Sequence, residues 1–207
     1  MESFERILAR AEGDAQMQAY LLCGWLAGLR LSEAYELEWE ETEEAPFVDL
    51  ARDRIVLPAK FVKGKSDQWV PLDSVLREAL LALPRHGKKV FRFISQRTKR
   101  PVDVYSMSDR VIRLAKKAGV RLTMHTLRKG FGCRYAGKVP AQVLQKLMRD
   151  RNIRTTMDYY ANVDDAVMAA VLGPQRNSLR NTRPAEIEAA ERPDATNSHQ
   201  ERPSDLS

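Results

Sequence analysis

The sequence is poor in the features that mark several function classes. Only two cysteines occur in 207 residues, Cys23 and Cys133, far apart and without metal-ligand spacing, so two reduced, packed thiols are expected. No apolar run approaches the about twenty residues that a membrane helix needs. The first ten residues carry Glu2, Glu5, Arg6 and Arg10 where a signal peptide would have a basic start and an apolar stretch, so a cytoplasmic, nucleoid-associated protein without a membrane partner is expected. A phosphate-cradling Gly-rich loop and a metal-carboxylate cluster are both missing, which argues against kinase or phosphatase chemistry. Acidic residues are scarce over one long stretch: residues 85–154 hold twenty Lys or Arg against Asp103, Asp109 and Asp150.

What is present fits a globular chain, with 43% hydrophobic and 30% charged residues, enough for one ordinary domain with extensions. The net charge of +6 is unevenly spread, since residues 33–53 carry nine acids and one base, Arg52. A solvated surface normally mixes both signs, so the one-sided excess over 85–154 points to a polyanion, most simply nucleic acid. From residue 174 apolar residues become too few for any core-facing period, and a disordered tail is expected over 174–207. That tail holds five basic and six acidic residues, which leaves the excess of positive charge on the part that folds.

Helical periodicity runs from Phe4 to Leu31, broken at Gly13 and Asp14, with Asp14 as the N-cap of the second run. Gly28 allows a sharp turn that projects Arg30, and Ser32 can cap the next helix. Three short β-branched and aromatic runs, 47–50, 54–57 and 68–72, predict a small antiparallel sheet with Lys63 at a strand end or in the adjoining turn. Helices are expected over 72–83 with Asp73 or Ser74 as cap, and over 104–119, 125–137, 140–149, 155–160 and 164–172. The fold class is mainly α with a small antiparallel β-sheet, an α+β arrangement.

Chemistry concentrates between Met124 and Val163. His125 and Arg128, three apart, share a face of a helix, and Tyr159 and Tyr160 follow about thirty residues on. Histidine exchanges protons near neutral pH, arginine grips two phosphate oxygens, and tyrosine can form a covalent ester. For this segment alone a basic helix with an aromatic end is the plainer reading.

The start of the chain changes that. Ala27-Gly28-Leu29-Arg30-Leu31-Ser32-Glu33 resembles the first signature box of the tyrosine recombinases, the phage-integrase family. His125-Thr126-Leu127-Arg128 and the stretch from Thr155 to Val163 resemble two further boxes, and Lys63, eight residues before Pro71 of a Val-Pro-Leu strand, a fourth. The order and spacing agree over roughly residues 15–172. The resemblance implies a tyrosine-recombinase catalytic-domain fold over 1–173 and a site-specific recombinase that cleaves and rejoins double-stranded DNA through a 3′-phosphotyrosyl intermediate, in integration or recombination of a mobile element. It implies that Arg30 and Arg128 clamp the scissile phosphate, Lys63 protonates the leaving oxygen and His125 assists proton transfer; Glu33, three residues from Arg30, is expected to orient it rather than to take part in catalysis. Tyr160 is the implied nucleophile, because Tyr160-Ala161-Asn162-Val163 matches the usual tyrosine, spacer, His or Asn, then Val. No cofactor and no metal are required. Assembly on DNA as dimer to tetramer is implied, with residues 164–172 as the segment passed to a neighbour.

Two departures qualify the resemblance. Asp150 stands where the family has a phosphate-binding His or Trp, in Leu147-Met148-Arg149-Asp150, and an ionised carboxylate repels phosphate. It can turn away to pair with Arg149 or Arg151, be replaced by a neighbour, or mark a weakened enzyme. The helical core-binding domain that usually precedes the first box is expected to be absent. Two alternatives therefore stand: a DNA-binding remnant without catalysis, and a type IB topoisomerase-like enzyme.

Overall fold

A computed structural model describes residues 2–63 and 65–160. The helix expected at 164–172 and the tail expected at 174–207 lie outside the described residues, as do Ala161, Asn162 and Val163 of the last box.

Helix α1 (Glu2–Arg10) has acids in its first turn and Arg10 in its last, matching the helix dipole, and buries Phe4 and Ile7. Helix α2 (Ala15–Leu26) begins where the Asp14 carboxylate accepts the Met17 N–H at 3.0 Å. It is apolar nearly all round, with Met17, Tyr20, Leu21, Leu22 and Cys23 buried, as suits a helix at the centre of a core. After α3 (Leu31–Tyr35) come β1 (Phe47–Asp49) and β2 (Arg54–Leu57), then α4 (Ala59–Val62), β3 (Gln68–Pro71) and α5 (Ser74–Leu81). The remaining described helices are α6 (Val104–Lys117), α7 (Met124–Ala136), α8 (Ala141–Met148) and α9 (Ile153–Met157). Helix α2 packs most extensively on α7 and α5.

The sheet has the expected strands in the order β1-β2-β3, antiparallel throughout, with Val48 opposite Ile55 and Ile55 opposite Val70. Ile55 and Val70 point into the main core and are fully buried. The mainly helical fold with a small antiparallel sheet is thus the one expected. The link from β2 to β3 differs: a helical turn, α4, stands before Lys63, held by the Asp67 carboxylate that accepts the Ala59 N–H at 2.8 Å. Four residues are too few to show a period, so no sequence pattern marks this turn. Helix α3 also starts earlier than a Ser32 cap implies. Its first turn is closed by Glu33, whose carboxylate accepts the Arg30 N–H at 2.7 Å. Helix α9 begins at Ile153, because the Asn152 side chain accepts the Arg154 N–H.

Gly28, between α2 and α3, has φ +59, and a Cβ there would lie 2.6 Å from the buried Phe131 ring on α7. Gly28→Ala is expected to destabilise the fold by about 2–4 kcal/mol, from left-handed backbone strain plus a forced ring shift. Urea unfolding of the variant measures this.

Candidate functional site

The chain bends at Gly28, and its carbonyl oxygen faces two arginines from the far end of the sequence. Arg128, on the inner face of α7, donates through Nη1 to the Gly28 oxygen and through Nη2 to the Met148 carbonyl. Arg149 follows α8 in a left-handed conformation, φ +54, and its Nη2 donates to the Gly28 oxygen at 3.0 Å and to Glu33 Oε2 at 2.7 Å. Glu33 Oε1 in turn accepts from Arg30 Nη1 at 2.7 Å. Arg128, Arg149 and Glu33 are buried, while the Arg30 side chain is 46% exposed and so forms the open side of the cluster.

Asp150 completes the group. Its Oδ1 lies 3.1 Å from Arg128 Nη2 and 3.7 Å from Arg30 Nη2, while Oδ2 is buried without a hydrogen-bond partner. Of the three readings open for Asp150, a turn toward Arg149 or Arg151 is not the one observed: those side chains face Glu33 and the Lys63 carbonyl instead. Asp150 sits between the two arginines expected to hold phosphate. Three guanidiniums against two carboxylates leave the cluster one net positive charge.

Burial pushes the Arg128 guanidinium down to about 10, helped by Arg149 and Arg30 and opposed by Glu33 and Asp150, so it remains cationic at neutral pH. Burial alone would raise Glu33, but Arg149, the Arg30 N–H and the Arg30 guanidinium together hold its carboxyl below the ordinary value. An open cleft of about 530 Å³ leads to Arg30, Glu33, Arg149 and Asp150 from the side of Phe61 and Asn152. A second of about 350 Å³ reaches Arg149 and Asp150 past Trp69 and Lys146.

The other expected residues are placed less uniformly. Lys63 caps α4 in a left-handed conformation, φ +52, and is exposed, with its carbonyl accepting from Arg151 Nη2 at 3.0 Å. His125 is exposed in the first turn of α7, whose Thr123 cap accepts the Thr126 N–H, whereas Arg128 one turn later is buried. The two share a helix but not an environment. Tyr160 is not brought to the arginines: its hydroxyl donates to the Val139 carbonyl between α7 and α8, and burial raises its pKa. Tyr159 packs its ring over Gly132, where a Cβ would lie 2.7 Å from the ring. Burial raises its pKa as well, but Asp150 adds to that rise, and Arg128 and Arg30 oppose it. Of the tyrosine pair, Tyr159 is the one that feels the cluster. Sequence reasoning missed Arg149 as a member, although an arginine directly before an unexpected aspartate was the available sign.

The architecture is that of a tyrosine-recombinase catalytic domain. XerA recombinase shares the fold with a TM-score of 0.64 at 22% identity, over 84% of this chain and 64% of that one. The catalytic domain of bacteriophage HP1 integrase matches with a TM-score of 0.56 at 20% identity, over 86% of this chain and 95% of that one. The Tn1549 transposon integrase, solved in complex with transposon right end DNA, matches with a TM-score of 0.60 at 20% identity, over 81% of this chain and 63% of that one. The chain belongs to the phage integrase family, whose sequence profile matches residues 1–166. It spans just under two thirds of the length of the XerA and Tn1549 proteins. No curated protein sequence matches it significantly. Among the described residues no helix is long and apolar enough to cross a membrane.

Proposed function

We propose that this chain is the catalytic domain of a site-specific DNA recombinase that cleaves and rejoins strands through a 3′-phosphotyrosyl ester. The observation that carries this reading is the convergence of Arg30 and Arg128, from boxes far apart in sequence, on a single carboxylate oxygen. Two guanidiniums that meet on one anion suit a phosphodiester, whose non-bridging oxygens gain charge in the transition state.

In this reading the tyrosine oxygen attacks phosphorus, the bond to the 5′ oxygen breaks, and the phosphate stays on the enzyme. The phenol proton leaves through His125, and Lys63 gives a proton to the departing 5′ oxygen. Rejoining is the reverse, so the ester conserves the bond energy. The exposed arginines and lysines of α6 and its approach, among them Arg97, Arg113 and Lys117, provide the phosphate contacts that hold double-stranded DNA. Dimers to tetramers on DNA belong to the same reading.

Tyr160 is the proposed nucleophile, because the residues after it match the family box. Its hydroxyl must then leave the Val139 carbonyl before attack. Tyr159, whose ring packs on Gly132 and whose pKa is raised by burial and by Asp150 against Arg128 and Arg30, is a second candidate. Nicked suicide duplexes at low salt, followed by denaturing gels, decide between them. The expected result is a covalent adduct with wild type and Tyr159→Phe and none with Tyr160→Phe. The reverse pattern transfers the role to Tyr159. Salt-sensitive binding with no wild-type adduct at all sinks the cleavage reading and leaves a DNA-binding remnant.

A further inference from the structure

We propose that Asp150 is a resident anion of the phosphate seat, holding Arg128 and Arg30 in the grip that a scissile phosphate takes, and that Arg149 is the cation that balances it. This rests on the reading of Arg30 and Arg128 as the phosphate clamp.

The geometry supplies each part. Asp150 Oδ1 is the one described anionic atom within ion-pair distance of both arginines, and Arg128 is fixed from behind by the Gly28 and Met148 carbonyls. A group that must lie between these two guanidiniums therefore competes with the carboxylate for the same donors. Oδ2 is buried without a partner, so among the described residues the carboxylate's hydrogen bond is the one it accepts from Arg128. Arg149 explains how the substitution is tolerated. Without Asp150 and Arg149 the cluster would hold Arg30, Arg128 and Glu33, with one net positive charge, and adding the neighbouring pair leaves that charge unchanged. The left-handed backbone at Arg149 turns its side chain inward to Glu33 and the Gly28 oxygen while Asp150 turns to the other two arginines. Adjacent residues thus bring in opposite charges at opposite sides of one cluster.

The inference departs from simple loss of a histidine. A missing donor would leave the seat open and weakly binding. A resident anion keeps the seat ordered, preforms the clamp without DNA, and makes phosphate entry an exchange of one anion for another. Phosphate binding should then strengthen when the carboxylate is neutralised, although the clamp loses its organiser.

Inorganic phosphate, titrated into the full chain by calorimetry, is the probe. Asp150→Asn is expected to bind phosphate about tenfold or more tightly than wild type, and Arg30→Ala in the same background to erase the gain. Asp109→Asn, an equal change of net charge on α6, should leave the affinity unchanged. The double variant Arg149→Gly, Asp150→Ala keeps the cluster's net charge, puts a residue that accepts the left-handed backbone at 149 and adds no donor at 150, and it too should bind more tightly than wild type. It carries the test if Asp150→Asn does not fold. In absorbance titrations of Asp150→Asn, Tyr159 should ionise at lower pH, since a neighbouring negative charge has gone. Equal phosphate affinity in wild type, Asp150→Asn and the double variant, all lost on Arg30→Ala, overturns the resident anion and keeps the phosphate clamp. Failure of every variant to bind phosphate in an Arg30-dependent way overturns the clamp itself.

Discussion

Arg128→Ala is expected to lower stability by about 3–5 kcal/mol and, in any fraction that folds, to cut strand cleavage by roughly 10²–10³-fold or more. The guanidinium joins three acceptors from two distant parts of the chain: Gly28 after α2, Met148 at the end of α8, and Asp150. Its removal leaves the Met148 carbonyl without this donor, the Gly28 carbonyl with Arg149 alone, and Asp150 with only the longer contact to Arg30. Arg128→Lys should recover little of either loss, because one ammonium cannot span acceptors that a planar fork reaches at once. Denaturant unfolding and adduct yield on nicked DNA measure the two losses. A stable Arg128→Ala protein would show that the carbonyls find other donors.

Glu33→Ala should be nearly as damaging, again by about 3–5 kcal/mol, because Arg149 would be left buried beside Arg128 and Arg30 with its main counter-charge gone. The side chains of Arg149 and Glu33 are 1% and 4% exposed, so water cannot readily take the place of either partner. The pH dependence has a definite sign. The folded-state pKa of Glu33 lies below its unfolded value, so its contribution is complete above the ordinary carboxylate range and is lost as pH falls through the folded value. Glu33→Gln should therefore cost stability at neutral pH and flatten the acid limb of the stability curve. Unfolding free energies at neutral and acid pH check this, and an unchanged acid limb would remove Glu33 from the account.

Features set by neighbours in sequence were readable without coordinates. Asp14 and Asp73 cap their helices because a side-chain oxygen needs only to reach an N–H two or three residues ahead. The three strands announced themselves by β-branched and aromatic residues between turns, and the boxes placed Arg30 and Arg128 for joint work before their meeting was visible. The partners of Asp150 could not be read in this way. Its nearest cations in sequence are Arg149 and Arg151, and adjacency made them the natural choice. The left-handed turn at Arg149 sends these neighbours in different directions, a backbone effect that arginine does not advertise as glycine would. The contact of Tyr160 with Val139 is also invisible locally, since it depends on how α9 returns to the end of α7.

The bond from Arg151 to the Lys63 carbonyl ties the loop after α4 to the turn before α9, across 88 positions of sequence. An exposed hydrogen bond of this kind contributes only about 0.5–1.5 kcal/mol, so it ties the two loops weakly. It acts as a latch and not as a lock. The loop that bears Lys63, the proposed general acid, is thereby tied to the turn before α9 by a contact weak enough to yield to a strand that enters. On the proposed function, delivery of Lys63 needs no separate triggering event, because breaking one exposed hydrogen bond costs little.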